Sequence, residues 1–224
     1  MGCTNVGVEQ FHEKQKKEKL EIIEKMKKED ENLKYNDPKK PTKNFCAEIM
    51  EKLPYKKEES KKRFILFQKL NNNKKSYISC KRLHVELTNY LELPEVVRKK
   101  DPINRAITAA LEKYTRNDEH LVLGWREFYV FIYYLKQYFT YFEKFIKEDI
   151  EKCTIKKEDF KATLSIIERF VNDIDESDFN KIDILNEKEI TFDDFCDYVI
   201  QKNFEEYNIK DEEINNKELK YFNE

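Results

Sequence analysis

An all-α fold is predicted for this chain by three observations. Glycine and proline are scarce, with three Gly and five Pro in 224 residues, against about 7% and 5% in an average protein. Phe128, Phe131, Leu135, Phe139 and Phe142 recur every three or four residues, the spacing of one helix face. Four short segments share one local shape, a β-favouring apolar residue followed five positions later by a large apolar one. These are 78–83, 123–128, 155–160 and 190–195, three of them reading LGWREF, IKKEDF and ITFDDF. Sheets and phosphate-cradling loops draw heavily on glycine, whereas helices do not.

The chain opens MGCTNVGVEQ and continues as a charged stretch from Glu13 to Glu31. Leu20, Ile22, Ile23 and Met26 form a thin apolar stripe there, as on a largely solvated helix. Pro38 and Pro41 then break the helical pattern. Residues 1–44 are therefore expected to be an anchor and a charged, flexible spacer, with the globular part starting near Phe45. Amphipathic helices are predicted over 63–70, before the first repeated segment, and over 166–182, before the fourth. The aromatic run 128–142 is too short for the ~20 apolar residues of a membrane span and carries Lys136. It reads as a buried helix running out of the second segment.

A net charge of −2 conceals an asymmetry. Residues 141–224 hold 24 acidic against 13 basic side chains, a net of −11, which leaves +9 on the first 140. A basic front suits an anionic membrane surface, and an acidic back suits cations or a basic partner. The five cysteines, Cys3, Cys46, Cys80, Cys153 and Cys196, form no CxxC pair. That pattern fits a reducing compartment better than a disulfide framework or a zinc site. Cys3 apart, they read as small buried or half-buried residues. No apolar h-region follows the N-terminus, so no secretory signal is expected. His12, His84 and His120 stand in no nucleophile pattern, and no Gly-rich phosphate loop, HExxH or GxSxG occurs. The chain is expected not to be an enzyme. Nucleic acid is disfavoured by the acidic second half and the lack of a focused basic stripe.

The repeated segments have the skeleton of EF-hands, in which loop position 8 is apolar, position 12 is a carboxylate and position 13 starts the core face of the exiting helix. Position 8 falls on Ile78, Leu123, Ile155 and Ile190. Four such units make two pairs, and the pairing expected is Ile78 with Leu123 and Ile155 with Ile190. The expected organisation is an anchor and spacer over 1–44, a first pair over 45–140, a second over 141–204 and an acidic tail over 205–224.

Calcium requires oxygens at positions 1, 3, 5 and 9, a backbone carbonyl at 7, a bidentate carboxylate at 12 and, for the sharp turn, glycine at 6. The first loop, 71–82, places Lys75 at position 5 and Arg82 at position 12, where a guanidinium repels the ion. The second, 116–127, keeps Glu127 but starts on Arg116, with His120 at position 5. The third, 148–159, puts Ile150 and Lys152 at positions 3 and 5. The fourth, 183–194, is best preserved: Asp183, Glu187, Thr191 and Asp194 hold positions 1, 5, 9 and 12, and Glu189 offers its carbonyl at 7. Leu185 at 3 and Lys188 at 6 depart from the pattern. Calcium is thus expected in the fourth loop or nowhere.

From residue 61 to about 204 the chain resembles the calflagins, flagellar calcium-binding proteins of the EF-hand superfamily. KKRFILFQKLNNNKKSYISCKRL is similar to their first helix, loop and helix, LGWREFYVFIYYLKQYFTYFEKF to their aromatic centre, and EITFDDFCDYV to their fourth unit. The resemblance implies calcium sensing at the last two loops, myristate and palmitate near the N-terminus, and a flagellar membrane. Here the third loop has lost its ligands and the fourth is altered.

On its own terms, Gly2 exposed by Met removal is a myristoylation site, although Val6 replaces the usual Ser or Thr. Cys3 beside it is a palmitoylation target. One myristoyl chain binds a membrane with only about 10⁴ M⁻¹, and a second chain makes the anchor stable. The sequence therefore points to a membrane-anchored EF-hand-type sensor or adaptor on the cytoplasmic face of a flagellar, ciliary or plasma membrane, binding a protein partner through a helix groove. The alternative is a metal-independent structural protein, cytoskeletal or axonemal, that uses degenerate EF-hands as a scaffold.

Overall fold

The computed structural model describes residues 17, 21, 24–72, 77–114, 122–145, 154–161, 176–183 and 187–206. It is mostly helical. In chain order the helices are α1 (residues 24–30), α2 (Phe45–Lys52), α3 (Ser60–Leu70), α4 (Cys80–Leu91), α5 (Glu95–Lys100), α6 (Pro102–Tyr114), α7 (Trp125–Phe145), α8 (Phe179–Ile182) and α9 (Phe192–Glu206). Among the described residues four short strands intervene: β1 (Ile78–Ser79), β2 (Val122–Leu123), β3 (Thr154–Lys156) and β4 (Glu189–Thr191).

Local chemistry accounts for the helix ends. Ser79 caps α4 by accepting the Arg82 N–H at 3.0 Å, as an N-cap serine does. Glu127 closes the start of α7 by accepting the Gly124 N–H at 2.9 Å, the reciprocal half of a capping box. Pro102 opens α6, where its missing N–H has no helical partner to lose. Three non-glycine residues, Glu92, Asp101 and Lys188, carry positive φ. Glu92 and Asp101 end α4 and α5 in the left-handed conformation, where helices usually place glycine. A chain with three glycines makes these turns with ordinary side chains.

Both strand pairs are antiparallel and hold the expected register, Ile78 opposite Leu123 and Ile155 opposite Ile190. All four of these side chains are buried. α7, 21 residues long, is the spine: it packs most extensively on α6 and also meets α2, α3 and α9. Phe128, Phe131, Leu135, Phe139 and Phe142 are each 0% exposed, as their spacing predicts. At one end of α7, Phe128 meets Phe67 at 5.0 Å, and at the other Phe142 meets Phe192 at 5.6 Å. One apolar cluster therefore runs from Phe45 to Ile200, and α7 crosses the boundary expected at residue 140. No helix among the described residues is long and apolar enough to cross a membrane.

The N-terminal region departs from expectation. The charged stretch before residue 44 is not a free spacer where it is described. Met26 and Asp30 are each 3% exposed, and residues 30–39 follow α4 along its length. Asp30 bonds to Ser79 and Arg82, Tyr35 to His84, Asn36 to Asn89 and Lys39 to Glu92. Periodicity marked α1 as weakly amphipathic and therefore solvated. It is held by a buried ion pair, and charge patterning along one segment gives no sign of that. The predicted helix over 166–182 is described only from residue 176 on, and α8 forms its end.

Candidate functional site

The fourth loop brings the expected ligand residues close in the chain, and the side-chain oxygens of Asp183, Thr191 and Asp194 are engaged within it. Asp183 ends α8, and its two carboxylate oxygens accept the Glu187 and Lys188 N–H groups, each at 2.9 Å. Lys188 stands at the position expected of glycine and adopts φ 61°. The chain thus makes the sharp turn at the strain a Cβ incurs there. Its carbonyl accepts the Lys157 N–H at 3.1 Å, tying the loop to the residue that follows β3. Glu189 lies in β4 opposite Lys156, with its side chain exposed. Thr191 donates to Asp194 Oδ2 at 2.6 Å and accepts the Asp194 N–H at 3.0 Å. Thr191 thereby caps α9, and the carboxylate at position 12 holds the capping hydroxyl. Residues 184–186, Leu185 among them, lie outside the described residues. Among the described residues no group of three or more His, Cys, Asp or Glu side chains is arranged to hold a metal ion.

In the first loop, protein groups bond to one another at the described positions where an EF-hand would place ligands. Asn71, at position 1, donates from Nδ2 to the Tyr77 carbonyl at 3.0 Å, the position-7 carbonyl. Those are two places where a calcium ion would receive ligands, and here an amide N–H bridges them. Arg82 at position 12 turns to Asp30, with Nε 3.2 Å from Oδ1, and Ser79 donates to the other oxygen. Arg82 is 7% exposed. The counter-charge of Arg82 comes from 52 residues upstream. In the second loop Glu127 is occupied as the cap described above, and Arg116, Asp118 and His120 lie outside the described residues. In the third, Asp159 closes a short 3₁₀ turn (Lys157–Asp159), while Glu148, Ile150 and Lys152 lie outside.

A second set of carboxylates, missed by sequence reading, fixes α9. Asp193 accepts a hydrogen bond from Tyr138 at 2.7 Å and lies 3.8 Å from Lys100. Asp197 receives Arg105 and the Tyr134 hydroxyl. Burial pushes the Asp197 carboxyl up from its ordinary range, and Arg105 only partly offsets this. Burial pulls on Arg105 in the opposite direction, but Asp197 and Asp193 together leave its guanidinium raised. Asp178, 2% exposed, binds Lys181, Tyr198 and Lys202 and so ties the helices on either side of the fourth loop. The partners of Asp193 and Asp197 lie up to 93 residues away, beyond any local pattern.

Cysteine chemistry is quiet in the body. Burial pushes the Cys46 and Cys80 thiols up to about 12, which leaves almost no reactive thiolate at neutral pH. Cys196 is buried too. Gly2, Cys3, His12 and Cys153 lie outside the described residues, as does the acidic tail from residue 207 on. No family model matches the chain, and no curated protein matches it either.

Proposed function

We propose that this chain is a membrane-anchored adaptor built from two pairs of EF-hand-like units, with the fourth loop as its calcium candidate. The observation that carries the reading is the register of the two loop pairs. Ile78 lies opposite Leu123 and Ile155 opposite Ile190, each at position 8 of a loop read from sequence alone. Supporting it, a helix follows directly after β1 and β4 and one residue after β2, and Phe128, Phe160 and Phe195 at position 13 are buried. The anchor rests on Gly2 and Cys3 of the sequence. The protein partner is expected to dock through a groove between helices.

A second reading, a metal-independent scaffold, is favoured by the internal engagement of Asp183, Asp194 and Arg82. Calorimetry with calcium separates the two. Saturation at one equivalent, lost in Asp183→Ala, assigns the ion to the fourth loop, and a flat titration leaves the scaffold. The anchor is tested by fractionating cells that express variants, with and without a chelator. Gly2→Ala should release the protein, Cys3→Ser should leave it partly soluble, and Asp183→Ala should not change its distribution. Retention of Gly2→Ala on membranes removes the acylation reading. Release of the wild type by chelator makes the anchor calcium-gated.

A further inference from the structure

Residues 34–36 are held on the face of α4 and α5 by bonds to their main chain. Asn89 donates from Nδ2 to the Lys34 carbonyl at 3.0 Å and accepts the Asn36 N–H on Oδ1 at 2.8 Å. One side-chain amide thereby makes the pair of bonds that a residue of a neighbouring strand would make around Tyr35. Arg98 adds a third, from Nη1 to the Asn36 carbonyl at 2.9 Å, while its Nε holds the Leu93 carbonyl at 2.8 Å. Those three bonds ignore side-chain identity. Selectivity comes from Tyr35, whose hydroxyl lies 2.8 Å from His84 Nδ1 and whose ring meets the imidazole edge-on at 5.7 Å. His84 is in turn oriented by Asp101, 2.8 Å from Nε2. Lys39 pairs with Glu92 at the far end.

Tyr35 does not fill its place. It is 52% exposed and borders a cavity of about 260 Å³ walled by Thr88, Leu93, Pro102 and Ile103. The contacts of residues 34–39 are solvent-exposed and each is individually weak, in contrast to the buried Asp30 and Phe45 on either side. Main-chain bonds combined with a pocket for an alternate side chain are the means by which proteins receive extended peptides.

We propose that the face formed by Asn89, Arg98, His84 and the adjoining cavity is a docking site for an extended peptide. The peptide it takes has an aromatic residue and, four positions later, a lysine or arginine. Residues 34–39 occupy it in cis, and a partner segment of the same chemistry displaces them. The tether gives the cis segment a high effective concentration, so the site is masked until a stronger aromatic ligand arrives. The inference does not depend on the reading of the loops or of the lipid anchor.

The test uses the full chain and a fluorescein-labelled synthetic peptide of residues 31–42, followed by fluorescence polarisation. Tyr35→Ala/Asn36→Pro weakens the cis segment, and this variant should bind the peptide at least tenfold more tightly than the wild type does. Adding Asn89→Ala to that variant should abolish binding, and a peptide with alanine in place of Tyr35 should bind at least tenfold more weakly. Equal binding by the wild type and the released variant, or indifference to Asn89→Ala, overturns the proposal. Hydrogen exchange gives a second readout without a peptide. Asn89→Ala alone should speed exchange over residues 34–36 and leave α7 unchanged, and unaltered protection at 34–36 overturns the proposal as well.

Discussion

Replacing Asp30 by alanine isolates the tie between α1 and the first loop. Asp30 and Arg82 are 3% and 7% exposed, so the substitution leaves a guanidinium with its principal carboxylate gone and little water to replace it. Glu86, 4.0 Å from the Arg82 Nη1, is the nearest substitute. Removing one partner of a buried pair costs about 3–5 kcal/mol. For a chain of this size that corresponds to a fall in Tm of roughly 6–20 °C, at about 2–4 °C per kcal/mol. Trp125 is the single tryptophan and packs against Phe64 and Phe67, each at 5.6 Å. Its fluorescence in a urea titration, alongside circular dichroism, therefore reports the loss. The double variant Asp30→Ala/Arg82→Met should recover most of it, because the stranded charge is gone. A loss below about 1 kcal/mol in Asp30→Ala, the range of exposed pairs, refutes the claim that α1 is locked to the loop. So does a double variant no better than the single.

Two further outcomes follow from the fourth loop and the helix after it. Lys188→Gly should raise stability by roughly 0.5–1 kcal/mol, the relief of about 1–2 kcal/mol of left-handed strain less the ~0.5–1 kcal/mol of entropy that glycine adds to the unfolded chain. Lys188→Ala keeps the strain, so an equal gain with alanine in urea unfolding would contradict the turn geometry. Asp197 carries a raised folded-state carboxyl. Its contribution is therefore fully present below the unfolded value of about 4 and declines as pH rises through the folded one. Asp197→Asn should accordingly gain on the wild type between pH 4 and pH 7, as read by urea midpoints at the two pH values. A wild-type advantage that grows with pH instead would mean that Arg105 outweighs burial at this site.

The sequence alone determined the features that depend on near neighbours. Scarcity of glycine and proline announced helices. The three-and-four spacing from Phe128 to Phe142 identified the central helix and its buried face, because one helix turn brings such residues together wherever they stand in the chain. The repeated apolar residue with a large apolar one five positions on located the four described strands and even their partners, since each pair buries a matching residue in a fixed register. Only the tertiary structure decided which charges are structural. Asp30 reaches Arg82 across 52 residues and Asp197 reaches Arg105 across 92, and nothing in either local pattern distinguishes these carboxylates from solvated ones. The same holds for residues 34–39. Two prolines and four lysines between residues 34 and 43 read as a spacer, because helical and strand periodicity are absent there. What fixes its first residues is Asn89 and Arg98 binding the main chain of residues 34–36, groups that any residue but proline presents alike.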